Sequence, residues 1–164
     1  MKILTLKQNS KICFWKCEKQ CFQTEGKLGV LACCKGDFSI SHYLTSDIYP
    51  AYKRAVAKIR LSAHKLPIEH ERYAKTPRVD RICLLGCDDL GDERHYLLEC
   101  KHPAIKEVYT PILSSVNILC DEMIRLTNNK DKLIHLLSSQ NTKILHLTGK
   151  LCHKVLSRFK EITW

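Results

Sequence analysis

The chain has 164 residues, 45% of them hydrophobic, enough for one modest core with a local insert. Lys and Arg number 27 against 17 Asp and Glu, a formal charge of +10 whose commonest use is attraction to a polyanion, so nucleic acid or an acidic membrane face are the partners to weigh. No stretch is apolar for long enough to span a bilayer, and the opening MKILTLKQNSK lacks the apolar centre of a secretion signal. The expected setting is soluble and intracellular, nucleus or cytoplasm, with no membrane partner.

Residues 1 to 26 are weakly periodic, with Phe14-Trp15 as their only large apolar anchor, and read as a lead-in that needs a partner surface. Residues 27 to 164 read as a helical module. From Asp47 the pattern sharpens: Tyr52, Ala55, Val56, Ile59, Ala63 and Leu66 share one helical arc, with Pro50 in the first turn and Pro67 expected to end the helix. Its other side carries Lys53, Arg54, Lys58, Arg60 and Lys65, and the cations continue as Arg72, Lys75, Arg78 and Arg81. That run sets nine Lys or Arg against three acids, Glu69, Glu71 and Asp80, which favours a nucleic-acid-binding strip over a merely solvated face. Thr76-Pro77-Arg78 reads as an extended connection.

The stretch RICLLGCDDLGDERHYLLEC, Arg81 to Cys100, concentrates three thiols and an imidazole. In a reducing compartment the chain's ten cysteines stay thiols, free to bind a metal or to pack as small apolar groups. Zinc takes four such ligands at tetrahedral corners. Cys83 and Cys87 enclose a turn that Gly86 can make, giving two adjacent corners. Asp92 is a plausible N-cap for a short helix, Glu93 to about Glu99, that carries His95. His95 and Cys100 are five apart, which is not one face of an α-helix, so Cys100 is expected at or just past the helix end. Four protein ligands close the shell, so one structural Zn²⁺ is expected, with His102 as the rival fourth ligand. Such an ion would convert metal affinity into folding free energy, and Arg81 and Arg94 stand near enough in sequence to offset the site's net negative charge.

Beyond Pro103 the pattern is helical in pieces: Ala104 to about Ser115 interrupted or kinked at Pro111, Ile118 to Leu126 stopped by Asn128-Asn129, Asp131 to Leu137, and a last helix capped by Asn141 and reaching about Ile162. Its stripe of Ile144, Leu151, Cys152, Val155, Leu156, Phe159 and Ile162 reads as core. Cys120 and Cys152 fall singly in apolar runs and read as core residues, and Cys13, Cys17 and Cys21, four apart with no His nearby, read as packing residues. The fold expected is mainly α, a small helical domain with a zinc-knuckle turn inserted between helices.

The run IRLSAHKLPIEHERYAKTPRVDRICLLGCDDLGDERHYLLEC resembles the cysteine- and histidine-containing C-terminal segment of reverse transcriptase polyproteins from non-LTR retrotransposons. The likeness rests on an Arg-x-Ser-x-His-x-Leu-x-Ile-Glu run at Arg60 to Glu69 and on Pro77-Arg78 and Arg81-x-Cys83. It continues through Cys87, the acidic Asp92-Glu93-x-His95, then Tyr96-Leu97-Leu98 and Cys100. KLGVLACCKGDFSISHYL is similar to the family's lead-in, and the resemblance covers most of the chain from Lys27 onward. Three residues rather than two separate the first cysteines, Cys-Pro becomes Cys100-Lys101-His102-Pro103, and Glu71 replaces a Gly. The resemblance implies a zinc-binding appendage contacting RNA or DNA, behind an upstream polymerase domain to which residues 1 to 26 would belong.

No enzyme is expected in the chain itself. Asp88-Asp89 superficially fits a polymerase metal pair, but Gly86 stands where an aromatic belongs and no strand precedes it, so the two read as solvated turn residues. A Gly-rich phosphate loop and a His-Glu-x-x-His motif are absent from the sequence, and Cys100 with His102 lacks an orienting third group. The expected function is a zinc-stabilised nucleic-acid-binding module without polymerase activity. The alternatives are a protein-interaction scaffold stapled by the same metal and a non-functional retroelement remnant.

Overall fold

A computed structural model of the chain describes residues 29–35 and 39–163; the lead-in 1–26, with Cys13, Cys17 and Cys21, lies outside the described residues. The element order is α1 (Gly29–Cys34), α2 (His42–Thr45), α3 (Pro50–Arg60), α4 (Pro67–Tyr73), a 3₁₀ turn (Arg78–Asp80), a π-turn (His95–Glu99), α5 (Pro103–Leu119), α6 (Asp121–Arg125), α7 (Asn129–Ser138) and α8 (Thr142–Thr163). The fold is mainly α, as the patterning predicts, and its only pairing of extended residues among those described is the isolated bridge Ile82–Leu90.

The long α8 is the spine. Asn141 starts it, its side-chain oxygen accepting the Lys143 amide at 2.9 Å, which satisfies an amide the helix itself cannot. Ile144, Leu145, Leu151, Cys152, Val155 and Phe159 are buried along one side, with α3 and α5 packed against them and α7 across them. Leu156 is partly buried and Ile162 exposed, so the predicted stripe fades at the last turn. Contact with α3 is close enough to demand glycine: a Cβ on Gly149 would sit 2.5 Å from Tyr52 Cβ. Cys152 is buried as expected; Cys120 is only half-buried, at the break between α5 and α6.

Helix boundaries depart from expectation at two prolines, at Cys120 and at an asparagine pair. The first helix does not run to Pro67. It stops at Arg60, and Ser62 turns the chain with a φ of 49°, leaving Ala63 exposed. Pro67 instead opens α4, because its missing N–H costs nothing at a helix start while it holds Leu66 extended. Pro111 does not interrupt α5, which continues to Leu119. The proline is exposed, so the carbonyl it leaves free faces water, while Ile105, Tyr109, Ile112 and Val116 bury the opposite side. The helix expected over Ile118 to Leu126 closes at Leu126, its C-cap, but starts only at Asp121, because Cys120 is extended and breaks the chain after Leu119. Asn128 goes on to start α7, its side chain accepting the Lys130 amide at 2.8 Å.

Candidate metal centre

Between α4 and α5 the chain forms a small loop closed by three backbone hydrogen bonds. Cys83 N–H donates to Asp89 O at 2.9 Å, Gly91 N–H to Arg81 O at 2.8 Å, and Ile68 N–H of α4 to Gly91 O at 3.1 Å. Gly86 makes the tight turn at φ +81°, and Gly91 leaves no room for a side chain, since a Cβ there would lie 2.9 Å from Pro67. Asp92 then caps the next helical turn as predicted, accepting the His95 amide at 2.8 Å.

How His95 and Cys100 come together is answered by the π-turn. The Cys100 amide donates to His95 O at 2.7 Å, an i to i+5 bond that adds one residue to the turn and brings Cys100 back beside His95. Cys100 sits just past the end of that turn, where sequence reasoning puts it. Cys83, Cys87, His95 and Cys100 are all buried, and one donor atom from each lies within 4.8 Å of the other three. Cys87 and Cys100 sulfurs are 3.9 Å apart. His102 is not in the cluster; it stands at the start of α5, its carbonyl accepting from Ile105 and Lys106.

The electrostatics suit a cation. His95 is 0% exposed and its ring nitrogens have no oxygen or nitrogen partner, only the neighbouring sulfurs, a desolvation cost that buried polar groups rarely carry without a reason. Its Nδ1 is 4.0 Å from the Asp89 carboxylate, too far for a hydrogen bond. Hydrogen bonding to Cys100 holds the Cys83 thiol well below the usual thiol range against the opposing effect of burial, with the His95 ring, the Tyr96 hydroxyl and the Leu85 amide contributing. The Cys100 thiol is raised by the same pairing and by burial. A metal ion would take the place of that shared proton and satisfy the imidazole, and the cluster is compatible with a metal site.

Residues that sequence reasoning passed over hold the cluster in place. Leu85 N–H points at Cys83 Sγ at 3.4 Å, and Leu84 N–H donates to the Tyr96 hydroxyl at 3.2 Å. The buried Tyr96 ring meets His95 edge-on at 5.2 Å and Phe159 of α8 at 4.8 Å. Tyr109 of α5 donates its hydroxyl to Cys100 O at 3.1 Å. The Arg-x-Ser-x-His run proves to be a clamp: Glu93, next to the capping Asp92, accepts from Ser62 at 3.3 Å and pairs with His64 at 2.9 Å, which ties the α3–α4 turn to the loop. The balancing arginines expected beside the cluster are engaged elsewhere. Arg81 donates to Thr76 O and Ile68 O, and Arg94 lies 3.5 Å from Glu99.

The nine cations of the predicted strip divide. Arg54, Lys58, Lys65 and Lys75 are exposed, and Arg78 is half-buried close to Asp92. Lys53 donates to Leu44 O at 3.1 Å, and Arg72 bonds Glu69 at 2.9 Å. Arg60 corrects the prediction outright. It is 3% exposed, donates to Leu137 O at 3.1 Å and lies 5.0 Å over the Tyr43 ring, so it serves the core and cannot face a partner. A helical pattern marks which side a cation lies on, but not whether a neighbouring element covers it.

Among the described residues no helix is long and apolar enough to cross a membrane. No protein-family profile, curated protein or solved structure matches the chain.

Proposed function

We propose that the chain is a zinc-stabilised module that contacts RNA or DNA through phosphate, akin to the C-terminal segment of non-LTR retrotransposon reverse transcriptases, with no catalysis of its own. The observation that carries the reading is the fully buried His95, whose ring has no oxygen or nitrogen partner, grouped with three buried thiols. Thiolates about 2.3 Å from a zinc ion at the tetrahedral angle stand about 3.8 Å apart, and Cys87 and Cys100 are at 3.9 Å. Four protein ligands leave no corner for water, so the ion is structural.

Support for nucleic acid comes from the +10 charge and from the exposed cations Arg54, Lys58, Lys65 and Lys75, which stand on α3 and along the chain that leads into the loop. Phosphate contacts give a slope of about −0.9 in log affinity against log salt for each one made on a duplex, so four predict about −3.6. Binding of a generic duplex across a salt titration tests this, with the triple variant Arg54→Glu, Lys58→Glu, Lys65→Glu expected to flatten the slope and keep the helical signal. A flat titration for the native chain would remove the nucleic-acid reading. Native mass spectrometry showing no zinc bound at Cys83, Cys87, His95 and Cys100 would remove the metal.

One observation favours the scaffold reading as the alternative. Ile118 and Ile124, at the α5–α6 corner, are 82% and 64% exposed, more apolar surface than a polyanion would use. A specific protein partner retained after nuclease treatment is the result that would select it.

A further inference from the structure

We infer a second, weaker metal site where α5, α6 and α7 meet, built from Cys120, Glu122 and His135 and suited to a borderline-soft divalent cation of the zinc type. The local backbone creates it. Cys120 is extended, at φ −149° and ψ 99°, so α5 ends at Leu119 and a new helix begins at Asp121. That break brings Cys120 and Glu122 together beside His135 on α7. Cys120 Sγ is 3.4 Å from His135 Nε2, and Glu122 Oε2 is 3.8 Å from Nδ1 of the same ring. One donor atom from each of the three lies within 4.8 Å of the other two.

These distances match a cation's needs on one edge. A thiolate at about 2.3 Å and an imidazole nitrogen at about 2.0–2.1 Å from zinc stand about 3.6 Å apart at the tetrahedral angle, so Sγ and Nε2 already have the separation of two corners. The third donor must turn to reach them. Glu122 is free to do so, since its side chain is 68% exposed. On binding, the Cys120 thiol gives its proton to solvent and the carboxylate arrives already charged, so the cation meets two anionic donors and one neutral one. Three protein donors leave the fourth corner to water. Cys120 and His135 are only half-buried, so this centre exchanges its ion more readily than the closed, buried one. Occupied, it would pin α7 to the α5–α6 corner.

The test uses the full chain, stripped of metal and reloaded with Zn²⁺, and reads two quantities. Native mass spectrometry is expected to show a second, weaker equivalent that Cys120→Ser and His135→Ala each abolish while the tight one remains. Alkylation of Cys120 in the native sequence, followed by peptide mass, is expected to slow about tenfold at zinc ten times above the weaker Kd. A Cys120 rate that zinc does not change overturns the proposal, and that measurement needs no variant to fold. A weak equivalent that persists in Cys120→Ser puts the ion elsewhere and overturns it too. Loss of the tight equivalent alone would count against the Cys83 centre and leave this one standing.

Discussion

Replacing Tyr96 by Phe isolates the hydroxyl that joins the loop to the sulfur cluster. The ring is fully buried between His95 and Phe159 and stays in place. The hydroxyl accepts the Leu84 amide at 3.2 Å and is hydrogen-bonded to Cys83, whose thiol is held down by its neighbours. A hydrogen bond to a charged group is worth about 1.5–3 kcal/mol, and each 1.4 kcal/mol is about tenfold in affinity. Tyr96→Phe should therefore weaken zinc binding by about 10- to 100-fold, the range expected when a residue that orients a metal ligand is lost. Competition against a chromophoric chelator gives the affinity, and thermal unfolding of the zinc-saturated chain checks that packing survives. Affinity equal to the native chain would refute the argument. A large fall in thermal midpoint under saturating zinc would show that the ring's packing, rather than the hydroxyl, had been disturbed.

Gly149→Ala should lower stability by about 2 kcal/mol, the upper end of the overpacking cost at about 3 less a helix-propensity gain of about 1, because the new methyl meets Tyr52 Cβ at 2.5 Å and backbone atoms that cannot rotate away; thermal unfolding measures it, and an unchanged midpoint would mean α3 and α8 are not in close contact. Arg60→Ala leaves the buried Leu137 carbonyl without its donor and should cost about 1–3 kcal/mol, while Arg54→Ala, at an exposed position on the same helix, should leave urea unfolding unchanged. Equal effects from the two would undo the division of the cationic strip. Burial pushes the Cys152 thiol up to about 12, so iodoacetamide at pH 8 should modify the exposed Cys33 in the native chain and reach Cys152 only after unfolding. Modification of Cys152 under native conditions, mapped by peptide mass, would contradict its place in the core.

The four candidate ligands are legible in the sequence because their chemistry is local: a cysteine pair needs a turn, Gly86 allows one, and Asp92 announces the helix that carries His95. What sequence does not announce is the π-turn. Nothing in HYLLEC favours an i to i+5 bond over the ordinary one; the preference comes from burying Tyr96 and Leu97 and from gathering His95 and Cys100. The same distinction runs through the fold. Asn141 is read correctly because a cap acts within one turn, whereas Pro67 and Pro111 are misread because proline is compatible with a helix start and, on an exposed side, with a helix interior. Arg60 is indistinguishable by spacing from Arg54 and Lys58. Only the arrival of Tyr43 and of the Leu137 carbonyl, 77 residues further along the chain, makes it a core residue.

The loop between α4 and α5 is more than a pendant on the helical body, and its attachments show why. Tyr96 and Leu97 belong to the same buried cluster as Val56, Ile105, Leu145 and Val155, so the residues beside His95 are part of the packing that holds α3, α5 and α8 together. Tyr109 fixes the far end of the π-turn to α5 through the Cys100 carbonyl, and Glu93 fixes its near end to the α3–α4 turn through Ser62 and His64. A loop held this way cannot open without drawing an aromatic ring out of the core, and burying a large side chain contributes about 1.5–3 kcal/mol. Whatever stabilises the sulfur cluster therefore stabilises the whole helical body, and the exposed cations on α3 gain a rigid base from a centre they do not touch.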